Sequence, residues 1–159
     1  MKKFLFIGLI NSFLSSQSLS FIKGIDISIL DQLEDNAAMF YDDGIEIDPI
    51  HVFKSKGVNT VRLKIWHNPS LNYNNLESIL EIAERLKESE LDFLLNFHYS
   101  DTWADPSNQN KPSAWQDLNF QVLCDSIKQY SSHVISKLKD QNTLPQYVQI
   151  GNETDCGML

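Results

Sequence analysis

Polar and aromatic residues collect just after short apolar runs in this chain. Trp66 and His67 follow the run TVRLKI, Tyr99 and Asp101 follow DFLLNFH, and Asn152 and Glu153 close QYVQIGN. Arg62 and Lys64 alternate with Val61, Leu63 and Ile65, so one face of that run carries two cations where burial demands apolar groups. Cations in such a place need acidic partners. The chemistry that fits is cleavage of a glycosidic bond, which takes a proton donor for the leaving oxygen and a second carboxylate that attacks or activates water. Glu153 is the candidate donor. Its apolar approach through Tyr147, Val148 and Ile150 is expected to desolvate the carboxyl and raise its pKa, favouring the protonated acid. Rings such as Trp66, Trp103 and Trp115 can stack on the apolar faces of sugars while polar neighbours hold hydroxyls.

Each of these residues also has a plainer reading. An Asn-Glu pair after a strand can be a simple turn. Asn152-Glu153-Thr154 is a glycosylation sequon as well, although a strand end facing a cleft is a poor acceptor. His98 can be a hydrogen-bonded core histidine. Trp115 can pack the start of a helix. His51 and His133 fall on helical segments and read as surface residues, and the four histidines show no metal-binding spacing, so no metal and no cofactor is expected.

The elements that must position these groups are strands alternating with segments of helical period, the pattern of βα units on a parallel sheet. Strands are expected at Ile22–Ile27, Thr60–Trp66, Asp92–His98 and Gln146–Asn152. Asp48-Pro49 offers an N-cap with proline at the first helical position, predicting a short helix over Pro49–Lys56. Asn74 with Glu77 resembles a capping box, and Leu76, Ile79, Leu80, Ala83 and Leu86 share one helical face. Phe120, Leu123, Cys124, Ile127, Val134 and Leu138 keep helical spacing in a third helix. The polar stretch from Tyr99 to Trp115 is a loop of the length that is more often functional than idle.

With 159 residues the chain can bury one core, whereas a complete (β/α)8 barrel takes about 250. Four strands cannot close such a barrel, so the expectation is a barrel-type fold cut after its fourth strand, with Val61, Leu94 and Val148 or their neighbours lacking a facing layer. A net charge of -8 without a basic run excludes nucleic acid as a partner. Residues 1–20 read as a signal peptide. Lys2 and Lys3 precede an apolar stretch and a Ser18-Leu19-Ser20 cleavage site, and polar residues from Asn11 onward break the run too early for a membrane anchor. A secreted, extracellular mature domain over residues 21–159 follows, with no membrane association after cleavage. Cys124 and Cys156 can pair in such a compartment, but buried free thiols are the favoured reading.

The segments FIKGIDIS, FYDDGIEID, KGVNTVRLKIW, NFHYSDTWADPSNQNKPSAW and YVQIGNETDCGML, in this order, resemble the first half of the glycoside hydrolase family 53 endo-β-1,4-galactanases. The resemblance runs from Phe21 to the last residue, and HYSDTWADP with Gln109, Lys111, Pro112 and Trp115 is its most specific part. It implies retaining hydrolysis of β-1,4-galactan, a pectin side-chain polysaccharide, as the partner and substrate of the complete enzyme. It assigns the acid/base role to Glu153, places Asn152 beside the 2-hydroxyl of the reacting sugar and makes Arg62 a site cation. Trp66, His98, Asp101, Trp103 and Asp105 are implied to line the cleft.

For Asn152 and Glu153 to reach one sugar, the strand must kink or end at Gly151, because alternation sends neighbours to opposite faces. Two positions depart from the family pattern: Asn96 stands where aspartate is usual and Lys64 where arginine is usual. The family nucleophile belongs to the seventh strand, so this chain alone is expected to be inactive. A non-catalytic sugar-binding protein, a half-barrel that dimerises, and a related barrel hydrolase acting on mannan or xylan are the competing readings.

Overall fold

The computed structural model describes residues 21–155, 157 and 158. The expected signal peptide and Cys156 lie outside the described residues. The centre of the fold is a parallel sheet of four strands, β1 (Gly24–Asp26), β4 (Thr60–Ile65), β5 (Asp92–Phe97) and β6 (Tyr147–Ile150), in that spatial order. Between β1 and β4 run α1 (Leu30–Asp35), an antiparallel hairpin of β2 (Tyr41–Asp42) and β3 (Ile45–Glu46), and α2 (Pro49–Ser55). The helix α3 (Leu76–Glu88) joins β4 to β5, and α4 (Phe120–Asp140) precedes β6. Strand order following chain order, with a helical crossover at each step, is the arrangement of consecutive units in a (β/α)8 barrel.

Strand alternation divides the sheet sharply. Val61, Leu63 and Ile65 pair in register with Phe93, Leu95 and Phe97, and all six are buried in one cluster with Ile79, Ala83 and Leu86 of α3 and Leu123, Val134 and Leu138 of α4. The opposite face carries Arg62, Lys64, Leu94 and Asn96, with Asp26 opposite Arg62 and Gln149 opposite Asn96. Val61 is therefore part of the helix-covered core, contrary to the expectation that it lacks a facing layer. The uncovered positions are Tyr147, Val148 and Ile150 of β6, which are 42%, 45% and 58% exposed.

Local signals act where expected, with small shifts. The Asp48 side chain accepts from the Ile50 amide at 2.8 Å and caps α2. For α3 the cap is Asn75, not Asn74: its side chain accepts from the Ser78 amide at 2.9 Å. Asn74 instead takes a left-handed φ of 58° and its carbonyl accepts from the Trp66 amide at 2.8 Å, closing the end of β4. On α4 the buried stripe omits two expected members. Phe120 is the first residue of the helix, ahead of the turn that reaches the core, and Cys124 lies one step around the helix from Leu123. Both are exposed, so the buried-thiol reading is wrong for Cys124.

Candidate active site

Arg62 projects from the polar face of β4 and joins two neighbouring strands. Its guanidinium donates to the Asp26 carboxylate at the end of β1, and Nη2 donates to Asn152 Oδ1 at 2.8 Å beyond the end of β6. The cation thus finds the acidic partner that its position demands. Burial works against ionisation of Asp26, but bonds from Ser28 and Arg62 outweigh it and hold the carboxyl below its usual range. Asn96 Nδ2 also donates to Asn152 Oδ1, at 3.0 Å, and Asn152 Nδ2 donates to the Ala104 carbonyl at 2.7 Å.

Glu153 follows Asn152 at a deliberate break. The strand ends at Ile150, Gly151 has φ 78° and Glu153 has φ 49°, so the alternation that separates neighbouring side chains stops where the sequence requires it. A Cβ at Gly151 would stand 2.6 Å from Thr154 Cγ2 and 2.9 Å from Met158 Sδ, which leaves glycine as the residue that fits. Gln109 holds the turn from the loop side, donating through Nε2 to the carbonyls of Asn152 at 2.7 Å and Glu153 at 3.2 Å. Glu153 itself is exposed, and so are Tyr147, Val148 and Ile150. The apolar wall expected to desolvate its carboxyl is absent among the described residues, because β6 is the outermost strand of the described sheet.

A second group lies beside this network. Lys64, 6% exposed, makes no ion pair among the described residues. Its Nζ stands 5.3 Å from the ring centroids of both Trp66 and Trp103, a cation–π arrangement that supplies part of the compensation burial requires. Burial pulls its pKa down, assisted by Arg62 and opposed by Asp26 and Asp31. His98 Nδ1 accepts from the Trp66 indole N–H and from the Ala104 amide, both at 3.2 Å. Both donors face the same nitrogen, so the neutral ring carries its hydrogen on Nε2, which is buried and unpartnered. Burial and the nearby Arg62 and Lys64 charges lower the His98 pKa to about 4. Trp103 is 43% exposed and Trp66 half-buried, so their rings border the polar face, whereas Trp115 is buried against His67 and Tyr130.

The two aspartates expected to line the cleft are occupied in shaping the loop. Asp101 accepts from the Asn68 amide at 3.0 Å and from the amide and hydroxyl of Ser113 at 2.8 Å. Asp105 accepts from Ser107 and Asn108, bonds that hold its carboxyl below the ordinary range. Sequence reasoning assigned Arg62, Trp66, His98, Trp103 and Asn152, which the structure brings together, and gave no role to Asp26, Asn96 and Gln109. A strand-end aspartate in register with Arg62 was the available signal for Asp26; Gln109 had only its place in the motif. A separate groove away from this cluster is lined by Met39, Phe40, Asp48 and Arg85. No three His, Cys, Asp or Glu side chains converge on a metal position among the described residues.

Residues 22–159 match the model of Glycosyl hydrolase family 53. The chain is 42% identical over 141 residues to a Niallia circulans protein described as "Uncharacterized protein in bgaB 5'region", covering 88% of this chain and 38% of that one. It is 36% identical over 141 residues to the arabinogalactan endo-beta-1,4-galactanase of Cellvibrio japonicus, covering 87% and 38%. The solved GH53 catalytic domain of Ignisphaera aggregans superposes with a TM-score of 0.84 at 32% identity, over 91% of this chain and 43% of that one. The chain therefore spans about two-fifths of the length of the relatives it matches.

Proposed function

This chain belongs to glycosyl hydrolase family 53, and on that premise we propose that it supplies the acid/base side of an endo-β-1,4-galactanase site, with Glu153 as the acid/base. The observation that carries the reading is the bonding of Asn152 to Arg62, Asn96 and Ala104, while Gln109 grips the backbone of Asn152 and Glu153. A rigid Asn-Glu corner beside exposed Trp103 can hold a sugar while a carboxylic acid reaches its glycosidic oxygen. Glu153 donates its proton to the leaving oxygen and later takes one from the water that releases the product.

Retention needs a second carboxylate about 5 Å away. Asp26, Asp101 and Asp105 are each committed to hydrogen bonds that fix local structure, so none is free to attack. By the family resemblance the nucleophile belongs to the seventh strand of a barrel, and a polypeptide limited to residues 21–159 is expected to release no reducing sugar from β-1,4-galactan until the complementary half of a family barrel is supplied. Within such a complete site, Glu153→Ala slows galactan hydrolysis far more than that of an activated aryl galactoside, since only the poor leaving group needs protonation. Equal losses on the two substrates would count against the role. The half-exposed tryptophans also support a second reading, galactan binding without turnover, which equilibrium binding to galacto-oligosaccharides in the absence of hydrolysis would favour.

Secretion belongs to the same proposal. It is supported by the Lys2-Lys3 start, the apolar stretch and the Ser18-Leu19-Ser20 site. No described helix is long and apolar enough to cross a membrane. N-terminal sequencing of exported protein should begin at Phe21.

A further inference from the structure

Lys64 and Trp66 share the polar face of β4 and its extension, since side chains two residues apart on a strand point the same way. The Lys64 Nζ lies 5.3 Å from the ring centroids of both Trp66 and Trp103, so one cation serves two indoles carried by different segments. The two rings are held very differently. Trp66 is fixed at three points: its indole N–H donates to His98, its amide donates to the Asn74 carbonyl, and its own carbonyl accepts from Tyr130. Trp103, on the loop after β5, makes no side-chain hydrogen bond among the described residues and is 43% exposed. Its ring is held by an edge contact with His98, centroids 5.3 Å apart, and by the ammonium.

Stability alone does not account for a lysine at this place. The residue is buried, and the carboxylates whose charge reaches it are bonded elsewhere, Asp26 to Arg62 and Ser28 and Asp31 to Ser78. A leucine would fill a similar volume without taking a charge out of water. What the ammonium supplies, and leucine cannot, is attraction to the faces of both rings at once, which strengthens where water is excluded. An arginine would serve the same end, because its guanidinium stacks on aromatic faces. Resting on the hydrolase reading above, we propose that Lys64 is a positioning residue that clamps the loop-borne Trp103 ring to the strand-borne Trp66 ring, so that the exposed face of Trp103 is preset before a sugar arrives.

The test uses the full chain with 15N-labelled tryptophan and two substitutions, Lys64→Leu, which removes the charge, and Lys64→Arg, which keeps it. The three indole N–H resonances are assigned with Trp103→Phe and Trp115→Phe, and indole order parameters are followed together with Tm. Clamping predicts a Trp103 order parameter near the rigid value of about 0.85 in the unsubstituted chain and in Lys64→Arg. In Lys64→Leu it falls below about 0.6 while that of Trp66 holds and Tm stays at or above its original value. An unchanged Trp103 in Lys64→Leu, an equal loss of order in the leucine and arginine variants, or a fall in Tm for Lys64→Leu with both rings loosened would overturn the clamp and leave Lys64 a packing residue. In a complete family barrel carrying these residues, with Glu153→Ala to prevent turnover, Lys64→Leu weakens binding of a β-1,4-linked galactotetraose about fivefold and Lys64→Arg restores it, because a loose ring must be ordered on binding. Absence of galactan hydrolysis from that barrel with Lys64 and Glu153 intact would sink the hydrolase reading, whereas the indole order parameters decide the clamp independently of it.

Discussion

The two faces of the β4–β5 pair are made from alternate residues of the same strands, yet opposite forces hold them. On one face Val61, Leu63, Ile65, Phe93, Leu95 and Phe97 are sealed beneath α3 and α4, none more than 3% exposed. On the other, Arg62, Lys64 and Asn96 are held by directional bonds to Asp26 and Asn152 and by two indole rings. Apolar burial is non-directional and scales with area, so the first face tolerates a change of shape better than a loss of volume. The second depends on donor and acceptor identity, so it tolerates a change of volume better than an exchange of polarity.

Loss of volume on the apolar face should give the largest effect. Leu95→Ala is expected to cost about 3 to 5 kcal/mol in urea unfolding, with Leu95→Met costing under about 1.5 kcal/mol. Similar costs for the two variants would erase the distinction between the faces.

Acidification should strike the polar face next. The folded pKa of His98, about 4, lies below its ordinary value of 6.5, so as pH falls the unfolded chain binds the proton first. The associated stability is complete above 6.5 and is lost as pH drops toward 4, by at most about 3 kcal/mol. Tm measured from pH 7 to pH 4 should fall less steeply in His98→Gln than with histidine present; parallel curves would remove His98 from the account.

Exchange of polarity at constant charge comes third. Arg62→Lys keeps the cation but replaces a planar fork with a point charge that cannot serve Asp26 and Asn152 together, at a cost of about 2 kcal/mol in unfolding free energy. A cost indistinguishable from zero would mean that charge alone, without geometry, holds the corner. The smallest effect is local and belongs to neither face: Asp48→Ala removes the α2 cap and should cost about 1 kcal/mol. A loss above about 3 kcal/mol would show that the Arg85 pair with Asp48, at 3.1 Å, matters more than the cap.

Much of the framework was legible in the chain. The strands at Thr60–Ile65 and Asp92–Phe97 and the capped helix at Pro49–Ser55 carry patterns that act within a few residues. Local signals ran out where the backbone or a partner from another segment intervened. Asn74 takes a left-handed φ of 58° while its carbonyl accepts from the Trp66 amide, which leaves the α3 cap to Asn75, and Asp101, which reads as a cleft carboxylate, accepts from Asn68 and Ser113. The β2–β3 hairpin escaped notice because strands of two residues are too short to show alternation.

By itself, then, the sequence determined the order of the four parallel strands and of α2, α3 and α4 between them, the face of β4 that carries charge, and the requirement for a break before Asn152, since Gly151 and the period-two pattern are local facts. It also determined by residue type that Arg62 brings a cation to β4 and that Glu153 brings a carboxyl to the end of β6. Only the tertiary structure decided that Arg62 meets Asp26 across 36 residues and that Asn96 meets Asn152 across 56. The physical reason is that these bonds depend on strand register and on the geometry of a turn held by Gln109 from another loop. A donor within bonding distance of an acceptor is a property of three-dimensional placement, which no periodicity along the chain can specify.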